Sequence, residues 1–146
     1  MNVKDLISTK YITVLPDMAV SELMRNYRKT QRNLYFVIDR EGLFLGYVKL
    51  IDIVKSNIPI YVEMDESLAG VINESSMIEV WQKVKNLPVS KFITNKNEFL
   101  DKDDSLIKAT NMLTSLNQES VAVVSEKKVI GEVSLKSILE LIYKIF

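Results

Sequence analysis

The sequence of 146 residues contains neither cysteine nor histidine. These absences exclude disulfides, thiolate nucleophiles and zinc sites built from cysteine and histidine. They also remove the side chain that most often serves as a general base near neutral pH. Carboxylate or lysine chemistry stays open. We therefore expect a protein that is not an enzyme and that holds no metal and no permanent cofactor.

Net charge is also absent, because 19 lysines and arginines balance 19 aspartates and glutamates. Proteins that read a nucleic-acid backbone usually carry a basic surplus, since neutralising phosphates supplies much of their affinity. No apolar run approaches the roughly 20 residues that span a bilayer. Asp5 stands where a signal peptide would begin its apolar region. We expect a cytoplasmic protein with neither nucleic-acid nor membrane partners.

The apolar pattern of the chain occurs twice. The matching segments are 3–8 with 89–94, 36–38 with 122–124 and, after the loss of one residue in a turn, 46–50 with 131–135. Few residues are identical, but the spacing of the apolar positions persists. Such self-similarity indicates two copies of one structural unit.

Each copy predicts the same series of elements: a short strand, a helix, two strands joined by a polar turn, and a second helix. The predicted strands are 12–15, 34–38 and 43–48 in the first copy, and 98–100, 121–124 and 129–133 in the second. Asp17, or the Asp-Asp-Ser sequence at 103–105, is expected to start the first helix by accepting free N–H groups. The second helix is expected to begin near Leu50 or Leu135.

The last helix predicts a partner subunit. The first helix of the first copy has one apolar stripe, formed by Val20, Leu23, Met24 and Tyr27. The last helix has apolar residues on more than one side: Ile138, Leu139, Leu141, Ile142, Ile145 and Phe146. Such a helix needs burial on two faces. We therefore expect a homodimer formed through the helices of the repeats.

Residues 58–87, between the copies, predict a helix rather than a flexible linker. Ser76 and Glu79 fit a capping box. Apolar residues then follow at helical spacing: Met77, Val80, Trp81, Val84 and Leu87. Pro88 is expected to end this helix where the second copy begins.

This order of elements, present twice, resembles the cystathionine-β-synthase (CBS) domain. The similar segments are the opening residues 3–7, the hairpin residues 37–39 and 46–48, and the second helix, 50–54. The resemblance implies an α+β (α/β-like) fold of two β-α-β-β-α repeats packed about a pseudo-twofold axis. It places repeat 1 in residues 1–57, a helical connector in 58–87 and repeat 2 in 88–146.

A tandem CBS pair is often called a Bateman module, and the resemblance implies a function as well as a fold. Such a module is regulatory and non-catalytic. It binds an adenosine-containing ligand of the AMP, ADP, ATP or S-adenosylmethionine type in a cleft between the repeats and signals to a partner protein. The alternative is a degenerate pair that binds no small molecule and serves as a dimerising protein-interaction domain.

In ligand-binding members of the family, the returning strand ends in Thr or Ser, and Asp or Asn follows three residues later. A hydroxyl at a helix start suits phosphate, and a carboxylate one turn further can accept hydrogen bonds from ribose hydroxyls. Lys49 and Asp52 hold these positions in the first copy, and Ser134 and Ser137 hold them in the second. Because Ser137 replaces the carboxylate, we expect the better nucleoside cleft beside Asp52.

The family pattern also has a glycine, followed five residues later by a proline, beside the adenine site. Gln31 and Asn117 hold the glycine positions here, and Phe36 and Ala122 hold the proline positions. The candidate contacts to a base are Phe36, Ala122 and the neighbouring Tyr35. Strand aromatics also suit an ordinary core, and this reading stays open.

The other candidate ligand-binding residues also fit ordinary structural roles. Lys49 and Asp52 suit an exposed pair at i, i+3, and Ser134 suits a helix N-cap. A group of acids could serve metal or acid–base chemistry: Glu98, Asp101, Asp103 and Asp104. The position of these acids at a predicted helix start favours a solvated cap.

Overall fold

The computed structural model of the protein describes residues 1–56 and 74–145, without the side chains of residues 74–76. The first half contains a 3-10 helix at Val3–Asp5, strand β1 Thr13–Val14, helix α1 Val20–Thr30, strands β2 Leu34–Ile38 and β3 Phe44–Lys49, and helix α2 Leu50–Lys55. Helix α3, Glu74–Val84, follows. The second half contains a 3-10 helix at Val89–Phe92, helix α4 Leu106–Leu116, strands β4 Ser120–Ser125 and β5 Lys128–Ser134, and helix α5 Leu135–Ile145. This mixed order confirms the α+β class predicted from the repeat.

Each half is built on an antiparallel hairpin. Strand β2 pairs antiparallel with β3 and parallel with β1, and β4 pairs antiparallel with β5. In the described part of the second half, a single parallel bridge from Leu100 to Val123 takes the place of β1. The strand predicted at 98–100 is therefore wrong. A turn precedes Leu100 instead, with Asn95 at positive φ and the Glu98 N–H donating to the Asn95 carbonyl.

The prediction that α1 begins at Asp17 is also wrong, because the helix begins at Val20. The N–H groups of Val20 and Ser21 donate to the carbonyls of Leu87 and Lys85, at 2.9 and 3.0 Å. Backbone carbonyls that follow α3 therefore satisfy donors at the helix start that the sequence analysis had assigned to an acidic side chain.

Helix α3 confirms a helix in the connector, although it starts earlier than predicted. It begins at Glu74, so Ser76 and Glu79 of the predicted capping box lie inside the helix. Pro88 is the N-cap of the second 3-10 helix. Residues 57–73 and Phe146, which also carried predictions, lie outside the described residues.

The opening segment of each half pairs with the sheet of the other half. Ser8 and Glu132 exchange two backbone hydrogen bonds of 2.9 Å. Thr94 and Tyr47, at the equivalent positions of the repeat, exchange two bonds of 2.9 and 2.8 Å. The halves are thus interlocked, because separating them breaks backbone pairing on both sheets.

Two equivalent glycines permit this crossing. A Cβ atom at Gly46 would lie 2.7 Å from Ile93 Cγ2 and 2.9 Å from the Thr94 carbonyl oxygen. At Gly131, a Cβ atom would collide with Ile7 and approach the Ser8 carbonyl oxygen. The crossing segments therefore require glycine at both positions.

A shared apolar cluster joins the two hairpins. Its buried members come from both sheets: Leu34, Phe36, Tyr47, Ala122 and Val124. Each half also has its own cluster against its helices, and these include Val89 in the first half and Val3 in the second. Each opening segment thus adds apolar surface to the core of the other half.

Helix α5 keeps much of its apolar surface outside the core. Ile138 is buried, whereas five apolar residues are between 42 and 84% exposed: Leu135, Leu139, Ile142, Tyr143 and Ile145. This confirms a helix with apolar residues on more than one side. Within residues 1–56 and 74–145, none of the helices has the length and apolar character needed to cross a bilayer.

Candidate functional site

Two clefts open between the halves, one beside the start of α5 and the other beside the start of α2. Cleft A has a volume of about 960 Å³, and its lining includes Lys10, Arg32, Ser120, Glu132, Ser134 and Ser137. Cleft B has a volume of about 540 Å³, and its lining includes Lys49, Leu50, Val54, Asn117 and Gln118. Ser134 and Lys49 are equivalent positions, so the repeat has produced two related clefts with different chemistry.

The polar wall of cleft A comes from paired strands. Ser120 pairs with Ser134, and Ala122 pairs with Glu132, on the adjacent strands β4 and β5. Side chains two apart on a strand point to the same face, and Val133 between them belongs to the core of the second half. Ser120, Glu132 and Ser134 all line cleft A.

Ser134 and Ser137 cap the start of α5 reciprocally. The Ser137 N–H donates to Ser134 Oγ at 3.1 Å, and the Ser134 N–H donates to Ser137 Oγ at 3.2 Å. The Ser137 hydroxyl donates to the Ser134 carbonyl at 2.8 Å, and the two Oγ atoms lie 3.2 Å apart. Within the described part of the chain, the Ser134 hydroxyl donates only to Ser137 Oγ, at 3.2 Å. Rotating it to donate to an anion would therefore break only a weak hydrogen bond.

Ser120 contributes an unsatisfied polar group to cleft A. Its residue is 3% exposed, and its hydroxyl has no hydrogen-bond partner among the described residues. A buried hydroxyl without a partner lowers stability by about 1–3 kcal/mol. Such a group at a cleft wall is suited to a ligand that supplies the missing partner.

A buried ion pair crosses the two halves in cleft A. Arg32 Nη2 lies 2.8 Å from Glu132 Oε2. Glu132 is 2% exposed, whereas the Arg32 side chain is 33% exposed. The lysines around the same cleft, Lys10, Lys136 and Lys144, are exposed. The cleft therefore combines a buried carboxylate with exposed cations at its rim.

Lys49 in cleft B is engaged with the opposite half. Its ammonium group donates to the Leu116 carbonyl at 2.8 Å, at the last residue of α4. A cation is favourable at a helix C-terminus, so this contact compensates for its position as N-cap of α2. Within the described residues Lys49 forms no ion pair with Asp52. Asp52 is half-buried in the first turn of α2 and lines neither cleft.

The three candidate base contacts lie in the core. Tyr35, Phe36 and Ala122 have at most 1% of their surface exposed and line neither cleft. Phe36 packs edge-on against Tyr47, with ring centroids 5.3 Å apart. The Ala122 N–H donates to the Tyr47 hydroxyl at 2.9 Å. For Tyr35 and Phe36, this position agrees with the alternative that strand aromatics belong to the core.

The hydroxyl of Tyr47 links the first half to backbone groups of the second half. It donates to the Glu98 carbonyl at 2.7 Å and accepts from the Ala122 N–H. Burial raises the pKa of the phenol well above its usual range, against the lowering effect of the Ala122 hydrogen bond. The group therefore stays neutral at physiological pH and acts as a fixed cross-link between the repeats.

The acidic residues near the start of α4 form a local cap. Ser105 accepts from the Lys108 N–H at 3.1 Å, which confirms it as N-cap. Asp101 accepts from the Asp103 N–H, and Asp104 accepts from the Asp101 N–H. No group of acids in residues 1–56 and 74–145 has an arrangement suited to a metal ion.

Sequence reasoning missed Arg32, Ser120 and Glu132. The signal for Glu132 was a lone carboxylate in an otherwise apolar strand, at the position that Tyr47 holds in the first copy. Arg32 and Ser120 carried no comparable signal, because polar residues beside a strand are common. Their role becomes visible only when the halves are packed together.

The comparisons with known proteins agree with this geometry. The family model of the CBS domain matches the chain over residues 3–58 and again over 84–144. A CBS domain-containing protein of unknown function from Kribbella flavida is 25% identical, with a TM-score of 0.73 over 98% of this chain and 99% of that one. No curated protein matches the chain.

Two further solved structures share the fold at lower identity. The CBSX2 structure in complex with AMP is 16% identical, with a TM-score of 0.72 over 99% of this chain and 97% of that one. The cytosolic domain of the Mg²⁺ channel MgtE in complex with ATP is also 16% identical, with a TM-score of 0.68 over 96% of this chain and 48% of that one. Since the two family matches cover most of its length, the chain belongs to the CBS-domain family, as a tandem pair.

Proposed function

We propose that this CBS pair is a non-catalytic regulatory module that binds an adenosine nucleotide in cleft A and signals to a partner protein. The observation that carries the proposal is the unpartnered, buried Ser120 hydroxyl in the same cleft as the start of α5. The N-terminus of a helix attracts phosphate through its free N–H groups and its dipole. The ligand class is supported by the AMP and ATP complexes of two proteins with this fold.

The proposed ligand runs along strand β5. The Ser134 hydroxyl and the exposed Lys136 hold its phosphate at the start of α5. The Ser137 hydroxyl lies one turn further, at the position that the family uses for ribose. Apolar surface for a base comes from Leu34 and Leu139, which line the same cleft. A volume of about 960 Å³ suits a ligand of nucleotide size.

Titration calorimetry and thermal melting with AMP, ADP, ATP and S-adenosylmethionine test this proposal. A ligand at 100 times its Kd stabilises the folded state by about 2.7 kcal/mol, which raises the Tm by roughly 5–10 °C for a chain of this size. Ser134→Asp should weaken nucleotide binding by at least about tenfold, because aspartate keeps the N-cap but repels phosphate. Ser134→Thr keeps both the cap and the hydroxyl and is the matched control.

The same titration tests the sequence prediction for cleft B. If the ligand occupies cleft A alone, Asp52→Ala leaves the Kd unchanged and the stoichiometry is one per chain. Loss of binding in Asp52→Ala, with Ser134→Asp unaffected, would place the ligand beside Lys49 and Asp52 instead. The absence of a saturable shift with all four compounds would favour the alternative of an interaction domain without a small ligand.

We also propose that the pair forms a homodimer through α5. The exposed apolar residues of this helix make a continuous strip, since Leu135, Leu139 and Ile142 follow at helical spacing. Exposed apolar strips of this kind mark interaction surfaces. Ile142→Glu is expected to shift the sedimentation coefficient from dimer to monomer. Ile107→Glu, on the exposed side of α4, should leave the dimer intact; a wild-type monomer would contradict the proposal.

A further inference from the structure

We infer that Glu132 selects the base of the ligand in cleft A, accepting a hydrogen bond from an amino group and disfavouring a carbonyl oxygen at the same place. The inference rests on the proposed function, since it assumes that a nucleotide occupies cleft A. It concerns a residue that the sequence motifs do not include.

Glu132 lies beyond the phosphate end of cleft A. It is two residues before Ser134 on the same strand, so both side chains face the cleft, with their Cα atoms about 7 Å apart. A phosphate at the start of α5 therefore leaves the rest of a nucleotide to extend toward Glu132. Ser120, whose hydroxyl is buried, is the cross-strand neighbour of Ser134 and completes this polar wall.

The carboxylate of Glu132 has one oxygen committed and one available. Oε2 binds Arg32 at 2.8 Å, and Oε1 has no hydrogen-bond partner among the described residues. An ionised carboxylate only accepts hydrogen bonds. The Arg32 guanidinium supplies its counter-charge. The available oxygen therefore calls for a donor from the ligand.

Amino and carbonyl groups on a purine differ in this environment. An amino group can donate to Oε1, whereas a carbonyl oxygen at the same place would face another acceptor. Sites built to bind a donor reject analogues that lack it, because a buried polar group is then left unpaired. Cleft A should thus prefer an amino-purine nucleotide over the matching oxo-purine.

Calorimetry with AMP and inosine monophosphate tests the inference on the full chain. Inosine monophosphate has a carbonyl in place of the amino group of AMP and carries a proton on the adjacent ring nitrogen. The wild type should bind AMP at least about tenfold more tightly, a difference of about 1.4 kcal/mol. Glu132→Gln should remove or reverse the preference, because the amide can keep its oxygen toward Arg32 and offer an N–H group to the carbonyl. Glu140→Gln, a carboxylate at the exposed rim of the same cleft, should preserve the preference.

The outcomes separate this inference from the proposed function. Equal binding of both nucleotides by the wild type, or tighter binding of inosine monophosphate, overturns the inference and leaves a nucleotide sensor. A preference for AMP that survives in Glu132→Gln also overturns it. Failure of the wild type to bind either nucleotide overturns the inference, and failure with ADP, ATP and S-adenosylmethionine as well overturns the proposed function. If Glu132→Gln does not fold, equal binding of the two nucleotides by the wild type still overturns the inference.

Discussion

Gly46→Ala should lower the free energy of unfolding by about 3–5 kcal/mol. The residue has φ of +144°, a conformation that side chains strongly disfavour. The added Cβ would also lie 2.9 Å from the carbonyl oxygen of Thr94. Because that oxygen belongs to backbone paired with Tyr47, relief requires the crossing segment to move. Urea denaturation followed by circular dichroism would show the loss as a lower midpoint at unchanged m.

Gly42→Ala separates the effect of backbone strain from the effect of the close approach between the crossing segment and strand β3. Gly42 also has positive φ, at +88°, but the nearest atom to its Cβ position is Lys128 Cδ, at 4.0 Å. Its replacement should therefore cost only about 1–2 kcal/mol. If the two alanine variants lose the same free energy, the close approach of residues 93–94 to strand β3 is not what requires a glycine at Gly46.

The duplicated fold could be predicted because its apolar pattern depends on local geometry. The stripe from Val20 to Tyr27 and the alternation of short strands and helices can be recognised without knowing what packs against them. The crossing of residues 7–8 and 93–94 between the halves could not be predicted in this way. In the sequence, an apolar opening segment is equally compatible with the sheet of its own half and with that of the other half. Only the close approach at Gly46 and Gly131 indicates which sheet it pairs with.

The candidate site was predictable where one local motif builds it. Ser134 and Ser137 could be placed at a helix start, because capping depends on residues three apart. The side-chain contact of Lys49 could not be predicted, since its ammonium group donates to the carbonyl of Leu116 in the other half. The ion pair between Arg32 and Glu132 joins residues 100 positions apart. Contacts at such separation depend on the packing of the repeats, and a pattern of neighbouring residues does not encode them.

The equivalent positions Tyr47 and Glu132 show how the two copies have diverged. Both are buried in the interface and pair with the opening segment of the other half. Tyr47 satisfies its hydroxyl with fixed backbone groups of the second half. Glu132 relies on the partly exposed Arg32, so its side of the interface keeps a charged group beside the larger cleft. One copy has thus become a structural cross-link and the other a polar cleft wall.

Arg32→Ala should lower the free energy of unfolding by about 2–3 kcal/mol, because it leaves the Glu132 carboxylate buried without its counter-charge. The expected loss of free energy is smaller than for a fully buried pair, because the Arg32 side chain is one-third exposed and water screens part of the interaction. Urea denaturation at neutral pH measures the effect. Adding Glu132→Gln to Arg32→Ala should recover part of the loss, because a neutral amide is less costly to bury than an unpaired charge.

The exposed pair of Arg40 and Asp17 is the matched control for this prediction. Its nitrogen and oxygen lie 3.0 Å apart, close to the 2.8 Å of the buried pair, but its side chains are 77 and 68% exposed. Arg40→Ala should therefore cost less than about 1 kcal/mol. A similar loss in both arginine variants, or no recovery in the double variant, would mean that burial of Glu132 does not set the strength of the contact. The proposed role of Glu132 in base selection requires a buried ion pair that holds its carboxylate in place. This result would therefore also count against that role.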